Sequence, residues 1–131
     1  MPRVLIVEDA GSCATTLEIA FSALRGVSVT IASSGHEAWG VLESDSDHPV
    51  NALVTDLHMP RMDGFELIAR VRRDPRHRGL PIIVLSGDSD PETPERVRRL
   101  GVDAFFGKPY SPAAVREKLE QLLHANPRHD I

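Results

Sequence analysis

Two adjacent acids, Glu8 and Asp9, a lone Asp56, a hydroxyl at Ser86 and an ammonium at Lys108 share one feature: each closely follows a short apolar run. The runs are Val4-Leu5-Ile6-Val7, Ala52-Leu53-Val54, Pro81-Ile82-Ile83-Val84-Leu85 and Ala104-Phe105-Phe106. Clustered carboxylates with no His or Cys beside them in sequence suit a hard, oxygen-seeking cation such as Mg²⁺ or Mn²⁺. With such an ion bound, Asp56 stays ionised beside Asp9 and can attack phosphorus, giving an acyl phosphate. The Ser86 hydroxyl and the Lys108 ammonium are then suited to stabilise the equatorial phosphoryl oxygens. The chain has two lysines, Lys108 and Lys118, against thirteen arginines, so a lysine at this position is not what its composition would supply by chance. A compact three-donor charge is needed there rather than a planar fork.

Each residue also has a plainer reading. A strand-end Asp56 is often a turn residue or helix N-cap, Glu8 and Asp9 can simply favour the positive end of a helix, and Ser86 can be an ordinary turn hydroxyl.

The elements that must position these groups alternate. The Val4–Val7 run predicts a first strand, and Cys13, Leu17, Ala20, Phe21 and Leu24 predict a helix that ends at Gly26. Val27, Val29 and Ile31 alternate with polar residues as in a half-buried edge strand, and Ala38, Val41 and Leu42 predict a second helix face. After a polar loop at Glu43 to Asn51, the strand leading to Asp56 is followed by a helix burying Leu67, Ile68 and Val71. Residues 81–85 make a fully apolar strand ending at Ser86. Val97 and Leu100 then mark a short helix. Ala104-Phe105-Phe106 gives a last strand, and Val115, Leu119, Leu122 and Leu123 a last helix. Five strands and five helices in strict alternation imply an α/β fold, (βα)5, with a parallel sheet covered by helices on both faces. The expected strand order 2-1-3-4-5 brings all five polar residues to one edge, around the switch point between strands one and three.

Composition narrows the class. The length fits one domain that buries roughly two-thirds of its surface without disulfide or structural metal. The single Cys13 cannot pair within the chain and reads as a small buried hydrophobe; no apolar stretch reaches the roughly twenty residues of a membrane span. Met1-Pro2-Arg3 leads into an apolar run that stops at acids, unlike a signal peptide, so the expected location is the cytoplasm. A net charge of −4 with both signs dispersed gives no reason to expect direct nucleic-acid or membrane binding.

From about Arg3 to Leu123 the chain resembles the receiver domains of two-component response regulators, the CheY-like, flavodoxin-like fold. The resemblance implies that residues 1–124 form the receiver and 125–131 a short tail. It implies that Glu8 and Asp9 hold Mg²⁺, with Asp9 the direct ligand, that Asp56 is the phosphoacceptor, and that His58 adds its backbone carbonyl to the metal. Met59-Pro60-Arg61-Met62-Asp63-Gly64 matches the family's turn into helix three. Ser86 matches its switch hydroxyl, Phe105 the aromatic whose rotamer follows phosphorylation, and Lys108-Pro109 its lysine followed by a proline that is often cis. Phe105 also reads as plain core, without the hydroxyl of the tyrosine often found there. The implied partners are a sensor histidine kinase or histidine phosphotransfer protein and a downstream protein target, with signalling through the face made by helix four, strand five and helix five. Phosphorylation-dependent homodimers belong to the same repertoire. The implied activity is self-catalysed phosphotransfer and slow autodephosphorylation rather than turnover of a substrate.

Alternatives from other classes are a phosphohydrolase with an aspartyl-phosphate intermediate, which would carry a second acid where His58 stands, and a pseudo-receiver that binds without phosphorylation. Two local features bear on mechanism. By the same resemblance, the side chains two residues beyond the phosphoacceptor and the hydroxyl residue flank the path of the hydrolytic water; here they are His58 and Asp88, which are expected to tune phosphoryl lifetime. Asp90-Pro91-Glu92-Thr93-Pro94-Glu95 predicts Thr93 as N-cap and Pro94 as first residue of a short helix four. Trp39 reads as packing. The arginines at 70, 72, 73, 76 and 78 and at 96, 98 and 99 read mainly as solvated charge near helix ends, with a binding patch as the alternative. The histidines at 36, 48, 77, 124 and 129 lack metal-ligand spacing and are expected at the surface.

Overall fold

A computed structural model describes residues 2–44, 49–59, 62–87 and 89–125, excepting the side chains of residues 12 and 125. Its elements run β1 (Arg3–Val7), α1 (Gly11–Phe21), β2 (Ser28–Ala32), α2 (Gly35–Glu43), β3 (Ala52–Asp56), α3 (Gly64–Arg73), β4 (Ile82–Ser86), α4 (Thr93–Arg99), β5 (Ala104–Gly107) and α5 (Pro112–Ala125). All strand pairs are parallel and the order is β2-β1-β3-β4-β5, as expected.

Successive side chains of a strand point to opposite faces, and the core divides accordingly. Leu5, Val7, Leu53, Ile82 and Val84 pack under α2, α3 and α4 with Ala38, Leu42, Leu67, Ile68, Val71 and Val97. Val4, Ile6, Ala52, Val54, Ile83 and Leu85 pack under α1 and α5 with Leu17, Phe21, Val115, Leu119 and Leu123. The central strands β3 and β4 are buried along their whole length, which explains their unbroken apolar sequence. The edge strand β2 is only partly covered: Val29 is half-buried and Ile31 reaches solvent. Among the described residues, no helix is long and apolar enough to cross a membrane.

Four expectations change. His77 is buried rather than at the surface, its Nε2 lying 3.1 Å from the Leu42 carbonyl oxygen. It closes the α3–β4 loop over the end of α2. His36 and His124 are exposed; residues 48 and 129 lie outside the described residues. Arg72 is not a solvated charge. Its guanidinium donates to the carbonyls of Arg78 (3.0 Å), Leu80 (2.8 Å) and Gly101 (2.7 Å) and lies 3.7 Å from Asp103, whose carboxylate accepts from Ile82 N–H. It therefore ties α3 to the chain entering β4 and β5. Finally, α4 begins one residue earlier than expected, at Thr93 with Glu92 as N-cap and Pro94 in its first turn, where the missing proline N–H costs nothing. It is still only seven residues long. Trp39 packs partly on the core as expected, whereas Cys13 is half-buried and lines a shallow hollow rather than sitting in the interior.

Candidate functional site

The carboxyl ends of β1, β3, β4 and β5 form one edge, and the candidate residues meet there. Pairing of β1 directly with β3 sets Val7 opposite Thr55, so the acids just beyond Val7 lie beside Asp56. Glu8 is drawn inward: its N–H donates to the Ala32 carbonyl at 3.0 Å, its Oε1 accepts from Ala10 N–H at 3.2 Å, and it is only 3% exposed. Asp9 faces solvent. The N-cap of α1 is Ala10, with no side-chain cap bond and no acid in the helix's first turn, so helix capping does not account for this acidic pair.

Asp56 ends β3 and is 6% exposed. Its Oδ1 accepts the N–H groups of Leu57 (2.6 Å) and His58 (3.2 Å), and its Oδ2 accepts from Lys108 Nζ at 2.7 Å. Both carboxylate oxygens are thus fixed. The loop returns at once into α3: Gly64 N–H donates to the Leu57 carbonyl at 2.8 Å and Asp63 caps the helix through Glu66 N–H at 2.9 Å. A side chain at Gly64 would collide with the Asp56 carbonyl oxygen and come within 2.7 Å of Leu57 Cα. Glycine is required by this close approach of backbone to backbone.

Lys108 arrives from β5, where Lys108 N–H donates to the Ser86 carbonyl at 2.8 Å and the peptide bond to Pro109 is cis. Its ammonium reaches Asp56 at 2.7 Å and Glu8 Oε2 at 3.3 Å. Partial burial alone would lower the Lys108 pKa, but the hydrogen bond and charge of Asp56, followed by those of Glu8, outweigh it and hold the ammonium well above its usual range. Glu8 moves up from 4.5. Burial is the main cause, reinforced by the negative Asp56 and opposed by the Ala10 N–H and Lys108.

Glu8, Asp9 and Asp56 each place one carboxylate oxygen within 4.8 Å of the others. Three carboxylates against one ammonium leave two negative charges over. Oxygen ligands of this kind, two of them held by backbone N–H bonds and one open to solvent, fit a hard divalent cation. Ser86 is buried at the end of β4, one residue beyond the partner of Asp56 in the sheet. Phe105 is half-buried in β5 opposite Val84 and lines a groove with Pro94 and Val97 of α4. His58 is exposed, and Asp88 lies outside the described residues. Phe65 and Arg96 belong to none of the site motifs, yet the Phe65 ring meets the His58 ring edge to face and Arg96 covers Phe65. The sequence carries no signal for this, because the contacts join a loop and two helices that share no common periodicity.

Residues 4–120 match the profile described as the response regulator receiver domain. Chemotaxis protein CheY1 of Helicobacter pylori is 32% identical over 124 residues, covering 95% of this chain and 98% of that protein. A chemotaxis protein CheY homolog of Campylobacter jejuni is 31% identical over 121 residues, 92% of each chain. Among solved structures, the receiver domain of a signal transduction histidine kinase from Syntrophus aciditrophicus superposes with a TM-score of 0.86 at 28% identity, over 98% of this chain and 94% of that one. A response regulator receiver protein from Pseudomonas putida does so with 0.82 at 32% identity, over 92% and 96%. With the fold, the strand-end acids and these relatives in agreement, the chain belongs to the family of response regulator receiver domains.

Proposed function

We propose that this receiver is a phosphorylation-controlled binding module in which Asp56 accepts a phosphoryl group from the phosphohistidine of a sensor kinase or phosphotransfer protein. The observation that carries this reading is the junction of Asp56 with Lys108 Nζ at 2.7 Å beside the Glu8–Asp9–Asp56 carboxylates.

In the transfer, an oxygen of Asp56 bonds to phosphorus as the bond from phosphorus to the donor imidazole nitrogen breaks, and the imidazole keeps the electron pair and takes up a proton. Glu8, Asp9 and Asp56, with the His58 carbonyl, would hold Mg²⁺ or Mn²⁺, which when bound would supply neutralising charge for the attacking and transferred groups. Backbone N–H groups of Leu57 and His58 hold the carboxylate in position throughout. The Lys108 ammonium exchanges its bond to Asp56 for one to a phosphoryl oxygen, and the Ser86 hydroxyl donates to another. Movement of Ser86 toward the phosphoryl group, followed by Phe105, reports the change to α4, β5 and α5, the face that meets a downstream protein or a second copy of the chain. The lifetime of the phosphoryl group is assigned to His58 and Asp88, the latter from its sequence position alone. The proposed location is the cytoplasm, with residues 1–124 as the receiver and 125–131 as a tail.

The test is intact-protein mass after incubation with a small acyl phosphate, with and without Mg²⁺, on the parent and Asp56→Asn. A metal-dependent gain of one phosphoryl group in the parent alone is the expected result. No gain in the parent, or an equal gain in the variant, overturns the assignment, and sustained turnover of a phosphomonoester would point to a phosphohydrolase instead.

A further inference from the structure

A groove of about 610 Å³ separates α3 from α4, lined by Asp63, Phe65, Glu66, Ala69, Arg96 and Arg99 with Leu100. One side-chain stack bridges it. The Arg96 guanidinium of α4 lies 3.7 Å above the centroid of the Phe65 ring, in the first turn of α3. The same Phe65 ring meets the His58 ring at 6.5 Å between centroids and 75° between planes. His58 in turn gives its backbone N–H to Asp56. Three side chains from three segments therefore form a continuous line from α4 to the loop that follows the phosphoacceptor.

The Arg96–Phe65 contact differs from an incidental one in its closeness. A cation over an aromatic face is attracted by the ring quadrupole out to about 6 Å, and the Arg70–Trp39 pair of this chain stands at that limit, 6.0 Å. Arg96 is far inside it. Phe65 is half-buried against the main core, so its ring has a fixed inner edge, and the guanidinium closes its outer face. An exposed loop histidine has several staggered rotamers open to it. An edge-to-face contact with the half-buried Phe65 ring favours the rotamer that makes it.

We propose that Arg96 is a positioning residue for the phosphorylation site: through Phe65 it holds the His58 ring at the water approach to Asp56 and so lengthens the life of the phosphoryl group. This inference rests on the proposed role of Asp56. In the step it governs, a water oxygen bonds to phosphorus as the bond from phosphorus to the Asp56 oxygen breaks. The carboxylate keeps the electron pair, and the water's two protons pass to inorganic phosphate and, according to pH, to solvent. A ring held at the approach excludes water, whereas a released ring does not. The same coupling gives a partner that grips Arg96 a means to shorten the signal, because coupling between two sites acts in both directions.

The test follows phosphoryl loss by intact mass after removal of a small acyl phosphate, in Mg²⁺, for the parent, Arg96→Gln, Arg96→Lys, Phe65→Leu and Arg98→Gln. Arg98 sits on the same helix, paired with Glu95, and serves as control. Arg96→Gln and Phe65→Leu are expected to speed decay roughly two- to fivefold, the rate equivalent of one exposed cation–π contact, with Arg96→Lys between them and the parent. In a His58→Ala background Arg96→Gln is expected to change nothing. A parent-like rate in Arg96→Gln, or an equal acceleration without His58, overturns the proposal. Failure of the parent to take up phosphate is a different outcome, which removes the role of Asp56 and this inference with it. The stack has its own readout in the unphosphorylated protein. Arg96→Gln should shift the His58 ring resonances in NMR spectra while Arg98→Gln leaves them in place, and unshifted resonances overturn the positioning role.

Discussion

Replacing Lys108 with methionine keeps most of the side-chain length and removes the ammonium that lies 2.7 Å from Asp56 and 3.3 Å from Glu8. The two carboxyl side chains are 8% and 2% exposed, so they lose their partner in a place where water replaces it poorly. Breaking a buried ion pair from one side costs about 3–5 kcal/mol. Lys108 itself is 27% exposed, and solvent screening reduces the expected loss to about 2–3 kcal/mol without metal. For a domain of this size that is a fall in Tm of roughly 6–12 °C. A divalent cation acts in the opposite sense. It stabilises by about 1.4 kcal/mol at ten times its dissociation constant, and it binds more tightly once the competing ammonium is gone. Urea unfolding in chelator and in Mg²⁺, on the parent, Lys108→Met, Asp56→Asn and the double variant, measures both effects and the coupling between the two residues. The reasoning is refuted if Lys108→Met changes metal-free stability by less than about 0.5 kcal/mol. It is equally refuted if Mg²⁺ stabilises Lys108→Met less than the parent.

Three further outcomes follow from particular contacts. Gly64→Ala sets a methyl group against the Asp56 carbonyl and the Leu57 backbone, neither of which can move aside alone; it should cost about 2–3 kcal/mol in urea unfolding and slow phosphoryl uptake. Arg72→Met removes three hydrogen bonds from a charged donor to carbonyls and the contact with Asp103, at the opposite edge of the sheet from Asp56. A loss of about 2–3 kcal/mol with unchanged uptake kinetics is expected, and changed kinetics would refute the separation of the two edges. Glu8 has a folded-state pKa raised above 4.5, so between those two values the native protein binds more protons than the unfolded chain. Metal-free stability should therefore fall as pH rises through that window, and Glu8→Gln should remove this part of the slope in thermal melts made in chelator; an unchanged slope would contradict the burial argument.

Much of the site was legible because strand ends announce themselves locally. An apolar run that stops at a polar residue, repeated at Glu8, Asp56, Ser86 and just before Lys108, needs no tertiary information. The alternation of period-2 and helical segments likewise determined an open parallel sheet, since parallel strands require crossovers and the crossovers are the helices. Thr93 and Pro94 placed α4 to within one residue for the same reason: proline constrains its own neighbourhood.

Only the tertiary structure decided what lies across a face. Lys108 reaches Glu8 over a sequence separation of 100 residues because β1 and β4 flank β3 and β5 returns beside β4; no local pattern states which acid it will meet. His77 and Arg72 sit in polar, charged sequence and read as surface, yet loop closure carries one under the end of α2 and turns the other toward three carbonyls. The Arg96–Phe65–His58 line is of the same kind. Hydrophobic periodicity reports which side of an element is buried, because burial repeats with the backbone's own turn. It carries no record of the partner, because that depends on how separate elements pack, and packing is settled by the whole chain at once.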